Sequence, residues 1–124
     1  MNILLTGATG YIGRRLLPIL LNEGHHVVCV VRDKNRFDSS RYDNSLLSVV
    51  EVDFLKKETL TNIPSSIDVA YYSIHSMSTS TGDFEKLERE SAQNFRDAIG
   101  QTEVKQVIYL SGIINNKELS KHLT

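Results

Sequence analysis

The 124-residue chain has little cysteine, little proline and almost no charge imbalance, with 14 Lys and Arg against 15 Asp and Glu. The single cysteine, Cys29, cannot form an internal disulfide, a usage expected of a reducing, cytoplasmic compartment. It lies in the apolar run VVCVV. Burial among valines raises a thiol pKa, so Cys29 reads as core rather than as a reactive group. A net charge of -1 leaves no basic footprint for nucleic acid and gives no reason to expect an acidic membrane surface as partner. No apolar stretch approaches the roughly 20 residues that cross a bilayer, and Met1 leads into a short apolar run without a charged n-region. His25 and His26 lack the companions of a metal centre, so no metal is expected. Neither paired carboxylates nor an activated serine supports hydrolysis.

What the chain does have is alternation of strand-like and helix-like segments. Asn2–Thr6 is a short buried strand bounded by glycine. Residues 11–23 switch to helical spacing, with Ile12, Leu16, Ile19 and Leu20 as the inward face. Pro18 should kink that helix by removing the bond to the Arg14 carbonyl, and Gly24 closes it. Buried strands follow at Val27–Val31, about Leu46–Val52, Asp68–Ser73 and Val104–Ser111, with a polar stretch over Arg32–Ser45. A short helix is expected near Lys57–Leu60, and a small-residue loop spans Ser76–Gly82. The best helix is Phe84–Ile99, with Phe84, Leu87, Ser91, Phe95, Ala98 and Ile99 inward. Asp83 would cap its start and Gly100 its end, and Lys117–Leu123 resembles the first turns of another helix. Right-handed crossovers then leave one fold class, an α/β doubly wound parallel sheet in a single domain over residues 1–124.

Gly7, Gly10 and Gly13 recur every third residue between the first strand and the first helix, in TGATGYIG. A strand, a glycine turn and a helix form the dinucleotide-binding arrangement. One glycine permits the tight turn, one admits the pyrophosphate and one lets helix pack on strand. The bound phosphates would meet free N–H groups where the helix dipole favours anions, with Thr6 and Thr9 as hydroxyl donors. The bland alternative is a structural turn in a domain that binds no dinucleotide.

With GHHVVCVVRD, VEVDF, DVAYYSIHSM and VKQVIYLSG in the same order along the chain, TGATGYIG resembles the cofactor-binding half of the short-chain dehydrogenase/reductase superfamily. The likeness is to its extended and atypical branches, which hold sugar-nucleotide epimerases and NmrA-like proteins. The resemblance implies a Rossmann-like sheet of strand order 3-2-1-4-5 and a cofactor across the carboxyl ends of strands 1 and 4. Gly7, Thr9, Gly10, Tyr11, Ile12 and Gly13 would then hold the diphosphate. Arg32 and Asp33 fall where an arginine selects the NADP 2′-phosphate and an acid selects the NAD ribose, so NADP is favoured and NAD is the alternative. Arg36 could assist Arg32. Asp53 and Phe54 match the residues around the adenine, and Tyr72 and Ser73 match the segment beside the nicotinamide ribose.

Family enzymes pair a tyrosine with a lysine four positions later. Here Tyr11, Tyr42, Tyr71, Tyr72 and Tyr109 are followed at that spacing by Arg15, Leu46, His75, Ser76 and Ile113. None fits. Ser111 matches the family's catalytic serine or threonine, and His75 is the one nearby group suited to proton exchange at neutral pH. The resemblance stops after the fifth strand, as an N-terminal piece of a longer pattern or a short relative would. Strand 5 would then be an uncovered edge, inviting pairing with a second copy. Three functions stay open: the cofactor-binding portion of an oxidoreductase or epimerase acting on an unknown small molecule, a non-catalytic dinucleotide-binding redox sensor, and an empty structural module.

Overall fold

A computed structural model describes residues 1–42, 45–74 and 82–111, the side chains of residues 74, 82–84 and 111 excepted. Strands β1 (Asn2–Thr6), β2 (His26–Val31), β3 (Leu47–Glu51), β4 (Val69–Ile74) and β5 (Gln106–Ser111) form one sheet in the order β3-β2-β1-β4-β5. Every pairing is parallel, and Leu5 stands between Cys29 and Tyr71 at its centre. Helices α1 (Tyr11–Asn22) and α2 (Gly82–Ile99) supply the opposite faces.

The apolar runs of β1 and β2 work because each is covered on both sides. Ile3, Leu5, Val27 and Cys29 pack with Leu17, Leu20 and Leu21 of α1. Leu4, Val28 and Val30 point the other way, toward Phe95 and Ile99 of α2. Full burial of each such side chain is worth about 1.5–3 kcal/mol. The two cores therefore hold the strand ends, where the loops emerge, in fixed relation.

α1 is turned relative to the expected phase. Its buried residues are Gly13, Leu17, Leu20 and Leu21, whereas Ile19 is 54% exposed. It also runs through Pro18, which lies on the solvent side, so water can serve the Arg14 carbonyl that has lost its donor. Gly24 ends it at φ 84°, with Gly24 N–H donating to the Leu21 carbonyl and His25 N–H to the Leu20 carbonyl. That pair of bonds is a Schellman closure.

In α2, Phe95 and Ile99 are buried as expected, but Leu87 is 45% exposed and Asn94 is inside. Burying Asn94 is tolerated because its amide donates to the Phe54 carbonyl. The helix already includes Asp83 in its first turn, two residues after the position a cap would take. The stretch after β2 is also more ordered than its polarity suggests. It forms 3₁₀ turns at Lys34–Arg36 and Ser39–Tyr42, with Phe37 stacked on Tyr42 at 6.0 Å. The short helix expected near Lys57–Leu60 is present as a 3₁₀ segment at Lys57–Asn62. The loop at 76–81, the inward Phe84 and the helix at Lys117–Leu123 lie outside the described residues or side chains.

Cys29 is wholly buried, and burial pushes its thiol up from 9.0 to about 12. The folded state thus keeps a proton that the unfolded chain releases from about pH 9, so stability is full below that pH and declines as pH rises toward 12. Denaturation midpoints should fall progressively above pH 9, and less steeply in Cys29→Ala. A disulfide reagent at pH 8 should leave the native thiol unmodified and label it completely in guanidinium. Rapid labelling of the native protein would contradict the assignment.

Candidate functional site

The carboxyl end of β1 meets α1 through a turn that three glycines make possible, for different reasons. Gly7 adopts φ 70°, a left-handed conformation, and accepts a hydrogen bond from Gly10 N–H at 2.9 Å. A Cβ on Gly13 would lie 2.1 Å from the Gly7 carbonyl oxygen, so only glycine lets α1 start this close to the strand. Gly10 needs neither form of freedom. Its φ of -81° and ψ of 176° suit any residue, and a Cβ there would meet the Gly7 oxygen at 3.3 Å, a tight contact that the turn relieves by yielding a few tenths of an ångström rather than the clash that Gly7 and Gly13 would suffer.

Gly10 is the N-cap of α1 and brings no capping side chain, and the first turn contains no acidic residue. The backbone N–H groups of Tyr11, Ile12 and Gly13 consequently have no partner among the described residues. Open donors at the positive end of a helix, beneath a position without a side chain, fit a diphosphate. Thr9 is exposed beside them, and Tyr11 is 63% exposed with the Arg15 guanidinium 4.3 Å over its ring.

Opposite this turn stands the end of β4, at the point where the strand order reverses. The Thr6 hydroxyl donates to the Tyr71 carbonyl at 3.0 Å and accepts from Ser73 N–H at 2.9 Å. It is therefore committed to joining β1 and β4, and the expectation that it donates to phosphate is corrected. Ser73 sits directly against the turn, since a Cβ on Gly7 would fall 2.4 Å from its Oγ. The Tyr72 side chain differs from expectation. It is buried, tilted on Phe95 at 4.3 Å, with its hydroxyl 3.1 Å from Ser91 Oγ, so only its backbone runs beside the cleft. Burial raises the Tyr72 pKa despite the Ser91 hydrogen bond.

At the end of β2 the two candidate ribose residues are in different conditions. Arg32 is exposed and has no ion pair or hydrogen-bond partner among the described residues. Asp33 is engaged: its Oδ1 accepts from Asn35 N–H at 2.9 Å and its Oδ2 lies 3.8 Å from Arg36 Nε. After β3, Asp53 closes its own turn by accepting from Leu55 N–H at 2.9 Å, while its backbone N–H donates to Thr59. Half-buried Phe54 packs edge-on to Tyr72 and Phe95, which fixes its ring at the margin of the α2 core.

Ser111 ends β5 beside Ile74, which brings the carboxyl ends of β4 and β5 together; its side chain and all of His75 lie outside the description. Among the described residues no cluster of three or more metal-binding side chains occurs, and no helix is long and apolar enough to cross a membrane. A groove of about 520 Å³ lies between Lys57–Ile63 and the C-terminal half of α2, away from the glycine turn. Among its polar lining residues, Asn94 and Thr102 are already hydrogen-bonded within the protein.

Similarity to known proteins agrees with this geometry. The chain is 27% identical over 130 residues to divinyl chlorophyllide a 8-vinyl-reductase of Arabidopsis thaliana, covering 96% of this chain and 31% of that protein. It is 24% identical over 111 residues to the photosystem II assembly factor Ycf39 of Synechocystis, covering 90% and 33%. The chain thus spans about a third of the length of the curated relatives it matches. Among solved structures, yeast methylglyoxal/isovaleraldehyde reductase Gre2 complexed with NADPH superposes at a TM-score of 0.73. The two share 15% identity, over 88% of this chain and 36% of that one. This is the fold of the cofactor-binding half expected from the short-chain dehydrogenase/reductase resemblance, strand order included. Since the family's own pattern runs over residues 7–123, from the first turn glycine onward, the chain belongs to the NAD(P)H-binding family.

Proposed function

We propose that this protein is the cofactor-binding portion of a reductase- or epimerase-type enzyme and that it prefers NADP(H). The observation that carries the preference is the contrast at the end of β2, where Arg32 is free and Asp33 is held within its own turn. A guanidinium without a partner can take a 2′-phosphate, whereas a carboxylate that already accepts Asn35 N–H and is paired with the Arg36 guanidinium is poorly placed for a ribose diol. The nicotinamide dinucleotide, when bound, gives or takes a hydride. The chain's part is to seat the diphosphate on the N–H groups of Tyr11, Ile12 and Gly13 and to line the cleft with Ser73. Ser111, at the end of β5, and His75, next in sequence after β4, are proposed for the reacting end, and Asp53 and Phe54 for the adenine end. The compartment is proposed to be cytoplasmic.

A second reading, a dinucleotide-binding regulatory protein without catalysis, is favoured by one feature. One relative is named as an assembly factor rather than an enzyme. The two readings separate on turnover: reduction of a carbonyl or enone panel with NADPH supports the first, and tight NADPH binding without turnover the second.

Calorimetric titration should give NADPH an affinity at least about tenfold above NADH, and Arg32→Ala should lower NADPH affinity by about tenfold while leaving NADH nearly unchanged. Equal affinities in the wild-type protein would overturn the NADP preference.

Gly10→Asp separates binding from folding. Aspartate is a strong N-cap, so stability should hold or rise by about 1 kcal/mol, while both dinucleotides lose more than about tenfold in affinity because a carboxylate occupies the anion position. Gly13→Ala should instead destabilise the fold by about 1–3 kcal/mol through overpacking. Undiminished binding in a folded Gly10→Asp protein would remove the phosphate site from this turn.

A further inference from the structure

We infer that Glu51 is a positioning residue for cofactor selectivity, acting on the turn after β2 and through it on Asp33; this rests on the NADP reading above. Glu51 is the last residue of β3 and pairs in register with Val31, the residue before Arg32. The peptide that joins it to Val52 is held at both its polar atoms: Val52 N–H donates to the Val31 carbonyl at 2.9 Å, and Asn62 Nδ2 donates to the Glu51 carbonyl at 2.7 Å. From that fixed base its carboxylate crosses to the next loop, where Oε2 accepts from Lys34 N–H at 2.8 Å.

Lys34 opens the 3₁₀ turn that Asp33 caps. Glu51 therefore holds the turn from outside while Asp33 holds it from within, through Asn35 N–H at 2.9 Å. Arg36, with its Nε 3.8 Å from Asp33 Oδ2, adds a cation on the far side of the same carboxylate. With the turn in place the Asp33 carboxylate is withheld from the ribose and the local charge is left to Arg32. Without the bond to Lys34 the turn can open, and Asp33 becomes available to accept from a ribose diol and to repel a 2′-phosphate. The acidic residue that a NAD-type site requires is thus already in the chain, and a carboxylate on the neighbouring strand decides whether it is used.

The test uses NADPH and NADH titrations of four folded variants, with thermal melts as the control for folding. Glu51→Ala should narrow the NADPH-to-NADH affinity ratio by about tenfold, the effect expected from gaining or losing one charged hydrogen bond. Glu51→Gln, which keeps an acceptor for Lys34 N–H, should restore most of the ratio. Asp33→Asn should leave the NADPH preference in place, and adding it to Glu51→Ala should return the ratio toward the wild-type value, because no carboxylate is left to swing. A purely structural role would weaken both cofactors equally and leave the ratio unmoved, which would overturn the inference. So would a ratio change in Glu51→Ala that persists in the double variant. A wild-type protein that binds NADH as tightly as NADPH overturns the underlying NADP reading itself, and is told apart from both results by needing no variant.

Discussion

The close approach of Gly13 to the Gly7 carbonyl is the constraint on which the site depends. It brings the start of α1 against the end of β1 more tightly than any side chain would allow. Two consequences follow from one contact. The helix lies with Leu17, Leu20 and Leu21 on the sheet, since those positions share a face with residue 13. The first-turn N–H groups also emerge at the carboxyl edge of the sheet, where the crossovers to left and right diverge.

That edge is kept in register by polar contacts inside the fold. Thr6 joins β1 to β4 through its hydroxyl, and Glu51 ties β3 to the turn after β2. The Asn2 N–H donates to Asp68 Oδ2 at 2.8 Å at the opposite end of the same strand pair. The apolar layers position strands only to within a packing contact, whereas these directional bonds fix which backbone groups face the cleft. Thr6 and Glu51 are thus both directed at the protein itself, one at the end of β4 and the other at the turn after β2.

Much of this could be read from the residues. Within NILLT and HVVCVV, Ile3–Leu5 and Val27–Val31 are apolar at every position, which requires cover on both faces and hence a parallel, doubly wound sheet. The glycine spacing marked the turn, and the strand order came with the family resemblance. The phase of α1 was not legible, because apolar residues at 12, 16, 17, 19, 20 and 21 surround more than half of the helix. Several rotations bury about the same area, and Gly13 selects among them only once its contact with Gly7 is known. The roles of Thr6, Tyr72 and Asn94 were hidden for a related reason. Their partners, Tyr71 and Ser73, Ser91 and Phe54, are 19 to 67 positions away, so no local pattern announces them. Phe54 and Tyr72 carry aromatic character that suits either a ligand or a core, and contact with Phe95 takes Tyr72 into the core while leaving Phe54 half-buried at its margin.

The three turn glycines do not carry equal information about function. Gly7 is fixed by its positive φ and by Ser73, and Gly13 by the Gly7 carbonyl, so both would be kept by a domain that had abandoned every ligand. Gly10 is under a much weaker demand, a tight 3.3 Å approach to the Gly7 oxygen in place of a clash. A serine, threonine or aspartate there would satisfy first-turn donors and steady α1, as such residues do at most helix starts. The chain instead leaves the donors open and the first turn free of acidic residues, giving up stability at the one place where a cap is easiest to supply. An omission of that kind makes physical sense if the missing acceptor arrives with the cofactor, so the strongest local sign of binding is the uncapped glycine in the middle of the motif rather than the two that flank it.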